Sequence, residues 1–352
     1  MYVNPYLKRI HRYKDHEDRE GFLGLDMNEN PAGLPAEFVE KVVKKIDAKV
    51  IASYPRKDGL QELIAQREGV GVDNITITDG SDEAIKLIYE TFSHEGANVV
   101  MVSPTFEMYR IYAEMFGVNI KKIEYAEDFS LSINDLLDAI DENTDIVALL
   151  NPNSPIGGIY SDEEFDAIIE KARENDAVVC IDEAYYPFGV ETKVELTKKY
   201  DNVIVLRTFS KLYSMAGLRV GYAIANEQLI QYMENAEGTY NVNTIGILVA
   251  EELLKTPGML ERLLEIEEEG KAHLTSELER NSYEYYGQYG NYVLIKTKKD
   301  PKYVAEELRK EKILIKTYGN GVLKDWIRVT TANKEIMEKF TRLFVKIDSD
   351  MF

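Results

Sequence analysis

From about residue 75 to 225, short β-rich apolar runs alternate with segments of helical periodicity, and this alternation restricts the fold more than any other feature of the chain. Runs at 75–78, 98–102, 120–125, 146–150, 178–181 and 203–206 are separated in turn by helical patterns that include 81–92, 106–116, 134–140 and 161–175. The last pattern opens on a capping box, Ser161 followed three residues later by Glu164, in which each side chain satisfies the other's free backbone amide. Strands alternating with helices predict an α/β fold of three layers, a mostly parallel central sheet with helices on both faces. Beyond about residue 226 the pattern turns helical to about 280. Strand-like runs at 292–296 and 313–316 then flank a helix at 304–309, and a run at 326–330 and a helix at 334–347 follow. This predicts a smaller α+β domain. The expected organisation is an N-terminal segment, 1–47, joining the small domain, a large domain over 48–255, and the small domain over 256–352.

Two domains suit 352 residues, of which 45% are apolar, enough for a substantial core. Against 42 Lys and Arg stand 62 Asp and Glu, a net charge of −20. Such an excess argues against nucleic acid or an anionic membrane as the main partner, since both need clustered positive charge. It leaves open a small anionic ligand in a locally basic pocket. The one cysteine, Cys180, lies in an apolar run and reads as a buried strand residue, and His11, His16, His94 and His273 show no metal-ligand spacing. No run reaches the ~18–20 apolar residues of a membrane span, and the charged first twenty residues lack the apolar stretch of a signal peptide. The expectation is a cytoplasmic protein that acts on small molecules.

Open α/β sheets bind ligands outside the carboxyl ends of their strands, and four constellations fall at such places. Thr208-Phe209-Ser210-Lys211, with Ala216-Gly217-Leu218-Arg219-Val220-Gly221 after it, follows a buried strand. Lys211 is there either a surface charge or an amine nucleophile activated in a dry or cationic site. Asp182, in Ile181-Asp182-Glu183-Ala184-Tyr185, either caps a turn or partners a protonated ring nitrogen. Asp79-Gly80-Ser81-Asp82-Glu83 puts a flexible residue and two amides at a helix N-terminus, which favours phosphate but also occurs before many helices. Asn151-Pro152-Asn153-Ser154-Pro155 is a rigid loop that turn chemistry alone would explain. A fifth signal is Arg328, an arginine inside an apolar strand, which needs a carboxylate either from the protein or from a ligand.

Taken in this order, the five resemble the fold-type I pyridoxal-phosphate enzymes, most closely the histidinol-phosphate aminotransferase-like group. The resemblance spans nearly the whole chain, from Asn28-Glu29-Asn30-Pro31 and Ser53-Tyr54-Pro55 to Arg328, and the run after Lys211 is its most specific part. It implies that Lys211 holds the cofactor covalently and then shuttles a proton, that Asp182 pairs the pyridinium nitrogen, and that Tyr185 bonds the ring's phenolic oxygen. Phe106 matches the aromatic that stacks on the ring. The amides of Ser81 and Asp82, the hydroxyls of Thr208 and Ser210, and Arg219 match the phosphate's partners. Tyr54 resembles a tyrosine that reaches that phosphate from a neighbouring subunit, which implies a homodimer with shared sites. Arg328 would grip the substrate α-carboxylate, and Asn30 lies in the segment that closes over the site.

Three positions depart from the family's pattern. Ser154 stands where an asparagine usually bonds the phenolic oxygen, so Tyr185, Asn153 or a water would take that bond; Ile156 replaces a threonine of the same loop. Lys316 stands where an arginine helps bind the substrate's phosphate, and it supplies a point charge without the bidentate fork. The resemblance implies an aminotransferase that moves an amino group between an amino acid such as glutamate and a keto or aldehyde acceptor, phosphorylated in the case of histidinol phosphate. The alternative within the same cofactor class is a decarboxylase of a phosphorylated amino acid, similar to threonine-phosphate decarboxylase.

Overall fold

Alternate residues of the apolar runs go to opposite faces of one sheet, as the period of two in an extended chain requires. The computed structural model describes residues 1–8, 10 and 19–349, and His11 and His16 lie outside them. In chain order the strands are β1 (Leu23–Leu25), β2 (Ile75–Thr78), β3 (Asn98–Ser103), β4 (Asn119–Glu124), β5 (Thr144–Leu150) and β6 (Val178–Asp182). They continue with β7 (Val203–Thr208), β8 (Gly221–Ala225), β9 (Tyr285–Tyr286), β10 (Tyr292–Lys296), β11 (Ile313–Thr317) and β12 (Trp326–Thr330).

The large sheet has the order β2-β8-β7-β6-β5-β3-β4. Five neighbouring strands, β7 to β4, run parallel, while β8 is antiparallel to both β7 and β2. In β5, Val147 and Leu149 join one core while Ile146, Ala148 and Leu150 join the other. The first core is closed by helices such as Asp162–Arg173, which contributes Phe165, Ile168, Ile169 and Ala172. The second is closed by Gly80–Phe92 and Glu107–Phe116. The capping box forms as expected: Ser161 Oγ accepts from the Glu164 amide at 3.2 Å, and a Glu164 carboxylate oxygen accepts from the Ser161 amide at 2.7 Å. The sequence reading did not anticipate β8 as a strand. It returns directly from β7 without a crossover helix, so no change of periodicity announces it.

The second sheet has the order β1-β11-β12-β10-β9, with β1 parallel to β11 and the remaining pairs antiparallel. Its core takes Leu274 and Leu278 from the helix Met259–Arg280, Val304 and Leu308 from Pro301–Lys310, and Phe340 and Phe344 from Lys334–Asp348. Each of these pairs is spaced four residues apart, which puts both members on one helix face. Among the described residues no helix is long and apolar enough to cross a membrane, and no group of three His, Cys, Asp or Glu could hold a metal ion.

Candidate active site

The carboxyl ends of β5, β6 and β7 reach one edge of the large sheet, and because β2 runs in the same direction as β7, the turn after β2 reaches it as well. A cavity of about 250 Å³ opens there. Asp182 and Thr208 enter it as the last residues of β6 and β7.

One end of the cavity is a cradle for an anion. The helix Gly80–Phe92 starts at the cavity wall, so the amides of its first turn, including those of Ser81 and Asp82, have no carbonyl within the helix to bond. Ser210 Oγ lies 3.0 Å from Thr208 Oγ1, and both side chains line the cavity. Arg219 stands opposite in the left-handed region, φ 53°, with one guanidinium nitrogen 3.4 Å from the Asp79 carbonyl and the other 3.4 Å from that of Ala216. Gly221 makes the convergence possible. It pairs with both Thr78 and Thr208, and a Cβ there would lie 2.5 Å from the Gly80 carbonyl carbon and press on the Ser81 amide nitrogen.

At the other end Asp182 is 3% exposed. Its Oδ2 accepts from the Tyr109 hydroxyl and its Oδ1 from the Ala184 amide, each at 3.0 Å, and it forms no ion pair among the described residues. Burial pushes its carboxyl up to about 6, against the pull of the Ala184 and Tyr109 hydrogen bonds. The neighbouring Glu183 adds to the rise. Glu183 is itself buried and paired, with Oε2 2.7 Å from Nε of Arg207, whose guanidinium carbon sits 3.4 Å above the ring of Tyr186.

Lys211, Tyr185, Phe106 and Ser154 line the space between the two ends. Lys211 Nζ lies 5.6 Å from the centre of the Tyr185 ring and 3.2 Å from the Met27 carbonyl. Burial alone would raise the Tyr185 phenol, but the charges of Lys211 and Arg328 and hydrogen bonds from Asn28 and Ser154 hold it below its usual value. Asn153, one of the substitutes considered for the missing asparagine, is turned away: its amide bonds Thr105 Oγ1 at 2.8 Å and the Pro104 carbonyl at 3.0 Å.

Four of the residues singled out in the sequence stand outside the lining. Arg328 is close behind it, where Nη2 donates to the Asp26 carbonyl at 2.7 Å and the buried Nε has no hydrogen-bond partner among the described residues. Lys316 is opposite Arg328 in register, so the two side chains share a face of the small sheet, and Lys316 is exposed. Asn30 bonds Ser214 Oγ at 2.7 Å and not the cavity. Tyr54 is 74% exposed and stacks on Tyr240 with ring centres 4.2 Å apart. Two residues that sequence reasoning missed touch the site's key groups. Tyr109 bonds Asp182, and Asn28 Nδ2 donates to the Tyr185 oxygen at 2.9 Å. Tyr109 lies three residues after Phe106 on an apolar helix face, so its spacing reads as core. Asn28 was seen only as part of a motif.

Pyridoxal phosphate fits these residues on their own terms. Its phosphate needs donors of the kind that the helix start, the Thr208 and Ser210 hydroxyls and Arg219 offer, and its ring nitrogen needs an anion such as Asp182, buried without a cation. The fold and the site together define a pyridoxal-phosphate enzyme of fold type I. Residues 20–342 match the model of aminotransferase class I and II, and the chain belongs to that family. It is an enzyme that transfers amino groups.

A histidinol-phosphate aminotransferase from a Thermoanaerobacter species is 33% identical over 95% of this chain and 95% of its own. The crystal structure of a histidinol-phosphate aminotransferase from Sinorhizobium meliloti, in complex with pyridoxal 5'-phosphate, superposes with a TM-score of 0.88 at 21% identity, covering 98% of this chain and 97% of that one. An L-threonine-O-3-phosphate decarboxylase from Porphyromonas gingivalis superposes with a TM-score of 0.77 at 21% identity, over 92% and 98% of the two chains. That likeness shows a shared fold and carries no decarboxylase activity to this chain.

Proposed function

We propose that the enzyme exchanges an amino group between glutamate and the histidinol phosphate pair, a phosphorylated amino alcohol and its keto counterpart. The observation that carries the reading is the identity of 33% over 95% of the chain to a histidinol-phosphate aminotransferase. The positions of Arg328 and Lys316 on one face of the small sheet support it, because they set a carboxylate-binding group and a second cation side by side.

When bound, the cofactor supplies an electron sink for the bond that breaks next to the amino group. Lys211 is assigned the covalent attachment and then the proton transfer at the substrate carbon, for which its amine faces the cavity beside Tyr185. Asp182 holds a proton on the ring nitrogen. Ser81, Asp82, Thr208, Ser210 and Arg219 bind the phosphate, Phe106 covers the ring, and Tyr185 with Ser154 serves the phenolic oxygen. Arg328 orients the α-carboxylate of glutamate. Lys316 attracts the phosphate of the other substrate, and Asn30 steadies the covering segment through Ser214.

We assign the active form to a homodimer. Tyr54, Ile51 and Tyr240 are 74%, 68% and 54% exposed on the single chain, an apolar group that a second copy would cover, with Tyr54 reaching the partner's phosphate site. Substrates of this kind are small metabolites, which supports a cytoplasmic location without nucleic acid or membrane partners. The N-terminal segment 1–47 is assigned to the small domain 256–352, with 48–255 as the large domain; the pairing of β1 with β11 supports this division.

The test is a half-reaction. Purified enzyme saturated with pyridoxal phosphate is given L-glutamate alone, then in a separate sample histidinol phosphate alone. The expected result is loss of the visible band in both, with 2-oxoglutarate appearing in the first. A band that persists with histidinol phosphate while another amine discharges it would overturn the substrate assignment. Sedimentation as a monomer would overturn the shared site.

A further inference from the structure

The side-chain amide of Asn28 has a direction imposed by its neighbours. Asn28 is 1% exposed and left-handed, φ 56°, and its carbonyl is held by Nδ2 of Asn291 at 3.1 Å. Its backbone N–H donates to Oγ1 of Thr330 at 3.0 Å. The Thr330 hydroxyl, with its oxygen receiving that proton, turns its own proton to Oδ1 of Asn28 at 3.3 Å. The oxygen of the carboxamide therefore faces β12, and Nδ2 is the atom 2.9 Å from the Tyr185 oxygen. An NH₂ group only donates. The Tyr185 oxygen is the acceptor in this pair, and its own proton must point elsewhere.

The other groups around Tyr185 are two cations and three hydroxyls, and among the described residues none is paired as an acceptor with that proton. Lys211, from the loop after β7, and Arg328, on β12, are cations and accept nothing. Ser154, after β5, supports the phenolate form as Asn28 does. Tyr292, on β10, meets the ring edge to face at 5.4 Å and sends its hydroxyl proton to the Asn153 carbonyl at 2.9 Å. Tyr318, after β11, is the remaining titratable neighbour. Among the described residues no acceptor is paired with the Tyr185 proton, and the side chain lines the cavity.

We infer that Asn28 is a positioning residue that fixes Tyr185 as a hydrogen-bond donor into the cavity, and that it does so from the strand end carrying Arg328. Thr330, which orients Asn28, lies two residues beyond Arg328 on β12, so one strand carries both the residue assigned to the substrate carboxylate and the start of the hydrogen-bonded chain that ends on the group assigned to the cofactor's phenolic oxygen. The inference rests on the assignment of Tyr185 to that oxygen. The lowered phenol of Tyr185 agrees with it, since a donor from Asn28 favours the ionised form.

The experiment uses two variants. Asn28→Asp keeps the shape and replaces the donor by a carboxylate that only accepts; Asn28→Gly keeps the positive φ and deletes the amide. The ligand-free protein, labelled with tyrosine carrying carbon-13 at Cζ, is titrated by NMR, with the Tyr185 signal assigned through Tyr185→Phe. We expect Tyr185 to ionise below the other buried tyrosines in the parent, and at least about tenfold less readily in Asn28→Asp. An unchanged Tyr185 titration in both variants overturns the inference. Pyridoxal phosphate is then titrated into each protein. Asn28→Asp should weaken binding about tenfold when Tyr185 is present and leave it unchanged in a Tyr185→Phe background. An equal loss in both backgrounds means that Asn28 acts by another route, which also overturns it. If the parent bound no pyridoxal phosphate, the assignment of the cofactor site would fail, while the tyrosine titration would still report on Asn28.

Discussion

The Tyr109 hydroxyl donates to Oδ2 of Asp182 at 3.0 Å, from a helix on the sheet face opposite the Tyr185 ring's core. A buried carboxylate is thus steadied by two neutral donors, Tyr109 and the Ala184 amide, and by no cation of its own. Removing the hydroxyl with Tyr109→Phe takes away a bond that favours the ionised form, so the Asp182 carboxyl should rise further. The acid limb of the kcat/KM profile should move to higher pH. A limb that stays in place would separate Tyr109 from the ionisation of Asp182.

Stability should show the same carboxylate with the opposite benefit. The Asp182 carboxyl is near 3.8 in an unfolded chain and about 6 in the fold, so between these values the folded protein binds the proton and the unfolded chain does not. Asp182 therefore destabilises the ligand-free protein progressively as pH rises from about 4 to about 6, and the full cost persists above that. Asp182→Asn should unfold at higher urea than the parent at pH 7, with the advantage shrinking toward pH 4, while turnover falls. An equal midpoint at pH 7 would contradict this.

Lys211→Ala should abolish turnover and the visible absorption of the lysine-bound cofactor. The phosphate cradle does not include Lys211, so pyridoxal phosphate should still bind, detectable by equilibrium dialysis. Retained turnover would end the assignment.

Arg328→Ala should reduce kcat/KM for the amino-acid donor by on the order of 2–4 kcal/mol, the usual cost of truncating one partner of a buried charged pair. The loss should be smaller for an amine without a carboxylate. Equal losses for both would mean that Arg328 serves the fold and not the substrate.

Gly221→Ala puts a methyl group against the start of the helix Gly80–Phe92. The helix must shift or β8 must bend. A destabilisation of about 1–3 kcal/mol is expected, together with a loss of pyridoxal-phosphate affinity larger than that for Phe106→Ala. Thermal unfolding with and without the cofactor measures both, and full affinity in the variant would show that the approach of β8 does not shape the cradle.

Much of the large sheet was legible in the sequence because each parallel strand is bounded by a change of period, and the strand ends carry Asp182 and Thr208 into the site. The cavity lining was legible for a related reason: Ser81, Asp82, Ser154, Ser210, Lys211 and Arg219 all sit within a few residues of a strand end. Residues that act across long separations were harder to read. Tyr109 looks like any other core tyrosine until the packing of its helix on β6 is known. The Asn28 contacts depend on the small sheet, and three-residue β1 is too short to show a period. Arg207 sits inside β7 with its counter-charge, Glu183, just past the end of β6, so nothing nearby in sequence announces its partner.

The first strand of the chain reaches its companions late. Asn28 and Thr330, like Asp26 and Arg328, are hydrogen-bonded at a separation of 302 residues. During synthesis the large sheet has all its strands long before β11 and β12 leave the ribosome, and domains generally fold as units as they appear. The cradle and Asp182 can therefore assemble on a partly made chain, but the polypeptide must be almost finished before Asn28 can meet Thr330. Closing so long a loop is slow in comparison with local contacts, so the Asn28 and Arg328 contacts are expected to form after the cradle and Asp182.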